Sequence, residues 1–258
     1  MSQIVTQQSN LGNYFYFLDS KDRKGNSISN ENCQFVIEDM SPNERKSISI
    51  ESIVIPNSYY SINSNNSSFV LLGTTSETIT LPVGNYTSTT YATQLLTSLN
   101  ASAFGTAHAF STVAYSSLTG KITITNATTD FSITSNTTNY RYLGLPISTT
   151  LASSSKVWVS TNVCDFSGTR YIDMISDIPL ASVNTGNPNN NLLSRIWCNI
   201  SSFGTIFYAS SNFDYMLLRT NRIGTLRLQL LDEFGNTIDL NGLNWSCTLE
   251  VKCHAQLS

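Results

Sequence analysis

The stretch that decides the fold is TLRLQLLDEFGNTIDLNGLNWSCTLEVK, residues 225–252. Leu226, Leu228 and Leu230 alternate with polar residues, which is the period of two that places apolar side chains on one face of a strand. The same alternation recurs closer to the carboxyl terminus, in Trp245, Cys247, Leu249 and Val251. Because a polar, glycine-containing turn lies between the two runs, we predict that the chain closes with an antiparallel pair of half-buried strands.

The opening part of the chain also consists of strands. Tyr14–Leu18 is apolar on both faces, which predicts a strand buried between the sandwich and another layer. Residues 33–37 alternate as a second strand. In residues 46–55 the apolar residues change from even to odd positions, so a β-bulge is expected near Glu51 and Ser52.

The middle of the chain has a different pattern, with short strands around one helix. Tyr91, Leu95, Leu99 and Ala103 share one helical face; Ser88 or Thr89 is the expected N-cap, and Gly105 the expected end. Strand signals resume at 156–160 and continue through 169–175, 193–200, 205–208 and 215–219. We therefore predict a mainly β protein, an antiparallel jelly-roll sandwich formed by residues 1–60 and 150–258, with a small inserted α+β domain at 61–149.

Composition argues against several classes of function. Charged residues make up 12% of the 258 residues, against roughly 25% in typical proteins. The net charge of -3 and the scattered Lys and Arg give no basic stripe, so direct nucleic-acid binding is not expected. No apolar run is long enough to span a bilayer, and residues 1–8 lack the features of a signal peptide, so we expect a soluble chain without a secretion signal of its own.

Residues for catalysis or metal binding are scarce. His108 and His254 are far apart in sequence and have no cysteine or carboxylate at ligand spacing. The five cysteines contain no CxxC pair and are interpreted as reduced core residues. Asp232 and Glu233 are adjacent acids in a turn, where a solvated hairpin tip explains them better than a glycosidase pair or a calcium site. We therefore predict no catalytic, metal or cofactor site, and no enzyme.

Two further clusters leave alternatives open. The charges of residues 19–24 fit either a solvated turn or ion pairs between subunits. The aromatic groups at 59–60 and 140–142 fit either the packing of a seam between the two domains or the binding of a sugar or protein partner.

Several blocks of the sequence resemble one family. The closing block LDEFGNTIDLNGLNWSCTLEVK (231–252) and the opening blocks YFLDSKDR (16–23) and SISIESIVIPNSYYSINSNN (47–66) are similar to strands of the penton, or vertex, capsid proteins of virophages, polinton-like elements and related large double-stranded DNA viruses. The segment from TLPVGNYTSTTYATQLLTSLN (80–100) to TGKITITN (119–126) resembles a small module inserted in such proteins.

The resemblance implies a structural role in a virion. The chain would be a single jelly roll, of which five copies close around an icosahedral fivefold axis beside double-jelly-roll major capsid proteins. It would be made and assembled inside the host cell. A closed ring of this kind requires heterologous side-to-side contacts.

Two other functions remain open from the sequence. The same fold would suit a minor or cementing capsid protein between capsomers. A carbohydrate-binding module or receptor binder would instead use exposed aromatics of the insertion, such as Tyr86, Tyr91 and Tyr140.

Overall fold

The computed structural model describes residues 6–8, 12–38, 44–180, 191–210, 215–220 and 222–254. The chain divides into two compact units. Unit 1 comprises Met1–Tyr59 and Thr169–Ser258, and unit 2 comprises Tyr60–Gly168.

The described elements are predominantly strands. In chain order they are β1 (Thr6–Gln8), β2 (Asn13–Asp19), β3 (Asn32–Val36), β4 (Arg45–Pro56), β5 (Ser68–Leu72), β6 (Ser76–Thr80), α1 (Ser88–Ala101), α2 (Ala103–His108), β7 (Phe110–Ser116), β8 (Lys121–Asn126), β9 (Ser132–Thr134), α3 (Tyr140–Leu143), β10 (Thr150–Ala152), β11 (Val157–Val159), β12 (Tyr171–Ser176), β13 (Asn191–Trp197), β14 (Thr205–Ala209), β15 (Met216–Leu217), β16 (Thr225–Leu231) and β17 (Ser246–His254).

Unit 1 is an antiparallel jelly roll. One sheet has the order β1-β2-β17-β4-β14, with β15 also pairing with β4, and the other has the order β13-β12-β16-β3. If the eight strands β2, β3, β4, β12, β13, β14, β16 and β17 are numbered in chain order, the sheets read 1-8-3-6 and 2-7-4-5. This arrangement is the two-Greek-key sandwich of a jelly roll, and it confirms the predicted fold class.

The alternation in the closing segment is confirmed, but the predicted pairing is wrong. Leu226, Leu228 and Leu230 are fully buried, and the inward residues of β17 are buried with them in one core. However, β16 pairs with β12 and β3, whereas β17 pairs with β2 and β4 in the other sheet. Alternation reports which face of a strand is buried and does not specify the neighbouring strand. The connection 232–245 crosses from one sheet to the other.

The predicted bulge in β4 is present. Thr248 of β17 lies opposite Ser52 and Leu249 lies opposite Ile50, so Glu51 is the extra residue. This insertion lets Ile48 and Ile50 share the buried side of the sheet with Ile53 and Ile55.

The strand at Tyr14–Leu18 is covered on one face in the single chain. Tyr14, Tyr16 and Leu18 are buried in the core, whereas Phe17 on the opposite face is 50% exposed. The expected second layer over this strand is therefore not supplied by the described residues of the chain.

Unit 2 contains two small antiparallel sheets, β10-β9-β5-β6 and β11-β8-β7, and the helix α1. Tyr91, Leu95 and Leu99 of α1 are buried in the core of this unit, as the periodicity predicts. The predicted helix ends differ from the structure. Thr87 is the N-cap, α1 ends at Ala101, and Ala103 and Gly105 belong to α2.

The predicted strand at 156–160 belongs to unit 2. In β11, Trp158 is fully buried and pairs with Ile124 of β8, and its indole N–H donates to the Leu151 carbonyl oxygen at 3.1 Å. The expected boundary at 149 therefore lies too early, because the last strands of unit 2 complete its two sheets. The inward-pointing Trp158 indicates a buried strand but not the sheet to which it belongs.

Candidate assembly surfaces

One edge of the jelly roll exposes four large apolar side chains. The strands β13 and β14 are consecutive, and each lies at the end of its sheet; among the described residues β13 pairs only with β12, and β14 only with β4. Along this edge, Trp197, Ile200, Phe203 and Phe207 are 41% to 75% exposed. We call these four residues the β13–β14 edge. An open strand edge with several large exposed apolar side chains is a feature that proteins normally cover.

The period of the strands explains why these side chains point outward. Ile196 and Ile206 are buried in the core, so their neighbours Trp197 and Phe207 lie on the outer faces of the two sheets. Phe207 is opposite Val54 of β4, which is also exposed.

The loop between β13 and β14 is fixed by Asn57. The side-chain amide of Asn57 donates to the Ile200 carbonyl oxygen at 2.7 Å, and the Phe203 backbone N–H donates to the Asn57 carbonyl oxygen at 2.7 Å. Phe203 has a φ of 68°, a left-handed conformation that these hydrogen bonds hold in place. The exposed Phe203 therefore lies on an anchored loop.

Beside Trp197 is an ordered cluster of polar and aromatic groups. Arg195 makes a bidentate ion pair with Asp173, with N···O distances of 2.7 and 2.9 Å. Its guanidinium lies 3.9 Å from the centroid of the Tyr171 ring, and that ring makes an edge contact with Trp197 at 5.7 Å. The hydrogen bond to Asp173 raises the pKa of Arg195. The Arg195 charge beside this edge is thus paired with Asp173 and held over the Tyr171 ring.

A second exposed apolar group lies on the other side of the jelly roll. Phe17 of β2, Ile28 in the following connection and Val36 of β3 are 49% to 73% exposed. We call these three residues the β2–β3 edge. In its sheet, β3 is at the end opposite to β13.

The charge cluster at 19–24 lies next to the β2–β3 edge. Lys21 and Asp19 form an exposed ion pair at 2.9 Å, and the hydrogen bond to Asp19 raises the pKa of Lys21. Arg23 donates to the Ser20 carbonyl oxygen. Within the single chain these side chains form a solvated turn.

Unit 2 has a nearly uncharged exterior. Residues 60–168, all of which the structure describes, contain six charged side chains of balanced sign: Glu77, Lys121, Asp130, Arg141, Lys156 and Asp165. Several of them serve local structure. The carboxylate of Glu77 accepts hydrogen bonds from the first two backbone N–H groups of α2, and Arg141 is buried.

The outer face of the β7-β8-β11 sheet illustrates this composition. It consists of uncharged side chains that follow one another across the three strands: Thr112, Thr125 and Val157 in one row, and Ala114, Thr123 and Val159 in the next. Because the three acidic and three basic side chains of unit 2 balance, the formal charge of -3 is carried entirely by unit 1.

The residues considered for chemistry are not brought together. Asp232 accepts hydrogen bonds from the backbone N–H groups of Phe234 and Asn236, while Glu233 accepts one from the backbone of Arg170. In the described part of the chain, no group of three or more His, Cys, Asp and Glu is arranged to hold a metal ion.

The histidines and cysteines have separate local environments. His108 contacts Thr128, and His254 contacts Ser47. All five cysteines, each within the described ranges, are thiols; Cys33, Cys164 and Cys247 are buried.

Most tyrosines of the candidate sugar site are buried or engaged in contacts within the chain. Tyr91 is fully buried in the core of unit 2, so it cannot contact a ligand. Tyr86 packs edge-on against Tyr91 and donates its hydroxyl hydrogen to Pro82. Tyr59 and Tyr142 each fill the core of their own unit.

Sequence reasoning missed the β13–β14 edge. The signal that could have identified it is parity between neighbours: Trp197 falls on the face opposite to the buried Ile196, and Phe207 on the face opposite to the buried Ile206. A half-buried strand with a large aromatic on its outer face indicates a contact that the chain itself does not provide.

Comparison with known proteins gives one kind of match. No protein-family model matches the sequence, and no curated protein does. Among solved structures, the crystal structure of the selenomethionine-labelled mavirus penton protein is similar over 93% of this chain and 99% of that chain, with a TM-score of 0.48 and 10% sequence identity. No helix in the described ranges has the length and apolar character needed to cross a membrane.

Proposed function

We propose that this chain is a structural capsid protein, a penton that forms a homopentamer at the fivefold vertices of an icosahedral virion. Its partners would be further copies of itself and double-jelly-roll major capsid proteins, with no direct contact to nucleic acid. The proposal starts from the resemblance of residues 16–23, 47–66 and 231–252 to penton strands.

The observation that carries the proposal is the exposed β13–β14 edge on a complete jelly roll. A self-contained domain has no need to present Trp197, Phe203 and Phe207 to water, whereas a subunit of a larger assembly covers them on binding. In the described ranges the residues that chemistry would require are dispersed: Asp232 accepts hydrogen bonds within its own turn, and Glu233 accepts one from the distant Arg170 backbone. A building block fits these features better than an enzyme does.

The experiment is to measure the mass of the native assembly and the symmetry of its density. Native mass spectrometry of the purified chain is expected to give five copies, and a particle reconstruction is expected to place the chain around the fivefold axes. Density at a position between capsomers would instead assign the chain to the minor or cementing class, which the same jelly roll would serve.

The glycan-binding alternative is less well supported, because Tyr91 is buried. A glycan array tests it directly. Binding that disappears in a Tyr140→Ala variant would favour it over the capsid role, since Tyr140 is partly exposed in α3.

A further inference from the structure

We infer that neighbouring copies of this chain meet edge to edge, with the β13–β14 edge of one copy against the β2–β3 edge of the next. This inference rests on the proposed homo-oligomer and names the surfaces that would form it. The occupant of the β13–β14 edge is thus a second copy of the same jelly roll.

The composition of the β13–β14 edge is that of an interface core. Residues 191–210 contain one charged side chain, Arg195, and it is neutralised by Asp173. Centres of protein interfaces are depleted in charge and enriched in Trp, Phe, Tyr and Arg, which is the combination found here. A neutral edge also meets no repulsion from an identical chain of net charge -3.

The edge is organised before any partner binds. The loop that carries Phe203 is anchored on Asn57, and Trp197 contacts a Tyr171 ring that is stacked under Arg195. Side chains that are already ordered lose less conformational entropy on association. This arrangement favours a specific docking site over an incidental exposed patch.

The two edges are related in a way that selects a head-to-tail contact. In the sheet β13-β12-β16-β3 the two edge strands are β13 and β3, so the exposed Trp197 and Val36 lie at opposite ends of one sheet. The other sheet adds Phe207 of its end strand β14 on one side and, on the other side, Phe17 of β2, which is the second strand because β1 pairs with its outer side. Each edge also has at least one exposed apolar side chain in the connecting loop. Two different apolar surfaces on opposite sides of one subunit make a heterologous contact, which closes into a ring when its rotation allows.

The position of the charged turn at 19–24 is consistent with the proposed contact between the two edges. It contains three basic and two acidic residues, a local excess of one positive charge, directly beside the β2–β3 edge. In the proposed contact it would face the neutral β13–β14 edge at the rim, where charged side chains remain hydrated.

The test uses full-length chains with two substitutions each. One variant carries Phe203→Ser and Phe207→Ser, and the other carries Ile28→Ser and Val36→Ser. The control is Leu118→Ser, at a residue 92% exposed in unit 2. Because all these side chains are exposed in the single chain, each variant should keep the fold, so its far-UV circular dichroism spectrum should match that of the unchanged chain, and this is measured first; the unfolding midpoint is not compared, since assembly itself raises it. Assembly is then followed by sedimentation velocity.

The unchanged chain and the Leu118→Ser control are expected to assemble, whereas each edge variant should sediment as a monomer, with affinity lowered roughly thirtyfold or more. An equimolar mixture of the two edge variants should form a one-to-one heterodimer, since each variant keeps the edge that the other has lost. Formation of that heterodimer would exclude a symmetric contact between two identical edges.

The outcomes separate this inference from the proposed function. If both variants assemble as pentamers, the inference is wrong and the penton proposal stands. If the edges control assembly but the complex has another number of copies, the inference stands and the pentamer does not. If the unchanged chain remains monomeric at every concentration, the edge contact is refuted.

Discussion

The indole N–H of Trp245 donates a hydrogen bond of 2.7 Å to the backbone carbonyl oxygen of Asn30. Trp245, the residue immediately before β17, is 1% exposed, and its ring makes an edge contact with Phe35 of β3 at a centroid distance of 6.3 Å. One side chain thus connects the two sheets of the jelly roll through both a polar and an aromatic contact.

Replacing Trp245 by Phe should destabilise unit 1. The Asn30 carbonyl would lose a buried partner, so we expect the free energy of unfolding to fall by about 1–3 kcal/mol, in addition to the effect of the smaller ring. Urea unfolding measures the change. The control is Leu243→Ala, at a residue of the same unit that is 50% exposed and lies outside both edges; equal effects at the two positions would contradict the expectation.

The N-cap of α1 is Thr87, whereas the sequence pattern predicted Ser88 or Thr89. The Thr87 hydroxyl accepts a hydrogen bond from the Thr90 backbone N–H at 3.2 Å, and the Thr90 hydroxyl accepts one from the Thr87 N–H at 2.9 Å. Thr87→Ala should therefore cost about 0.5–2 kcal/mol of stability. Ser88→Ala, one residue later, should change it by less than about 0.5 kcal/mol. Thermal unfolding followed by circular dichroism compares them, and a larger loss for Ser88→Ala would count against this cap.

The buried thiols should resist alkylation. Burial raises the pKa of Cys33 and of Cys247 to about 12, so both remain protonated and poorly nucleophilic at pH 8. Iodoacetamide labelling followed by peptide mass spectrometry should modify Cys253, which is partly exposed, before either of them. Rapid labelling of Cys33 in the folded protein would show that its environment is not the one described.

The same pKa values predict how stability varies with pH. Because the folded pKa of Cys33 is raised above the ordinary value of 9.0, its contribution is fully present below pH 9 and is lost as the pH rises towards 12. The urea midpoint should fall over this range, and it should fall less steeply in a Cys33→Ala variant. Parallel curves for the two proteins would refute the linkage.

Gly144 should not tolerate a side chain. It follows α3 with a φ of 60° and a ψ of 41°, and an added Cβ would lie 2.5 Å from the Asn162 carbonyl oxygen. Gly144→Ala is expected to lower the stability of unit 2 by about 1–3 kcal/mol. Gly25→Ala, where an added Cβ has open space, is the control. Differential scanning calorimetry compares the melting temperatures of the two variants, and equal temperatures would contradict this expectation.

Local pattern was sufficient for features that depend on one strand or helix at a time. The alternation around Leu228 and Leu249, the bulge at Glu51 and the buried helix face at Leu95 all follow from residue spacing. Each is determined by which side of an element faces the core.

Features that depend on distant parts of the chain did not follow from pattern. The strand β17 pairs with β2 and β4 instead of β16, and β11 completes a sheet of unit 2, because several half-buried strands could pair equally well by pattern alone. The β13–β14 edge was missed for a related reason. Whether Phe207 is covered depends on every other segment of the fold and on neighbouring molecules.

The balanced, sparse charge of unit 2 affects how partners approach the molecule. Long-range attraction or repulsion during diffusion arises from net charge, and in this chain it arises from unit 1 alone. Added salt should therefore alter the association rate of a charged partner more strongly at unit 1 than at the threonine-rich sheet of unit 2.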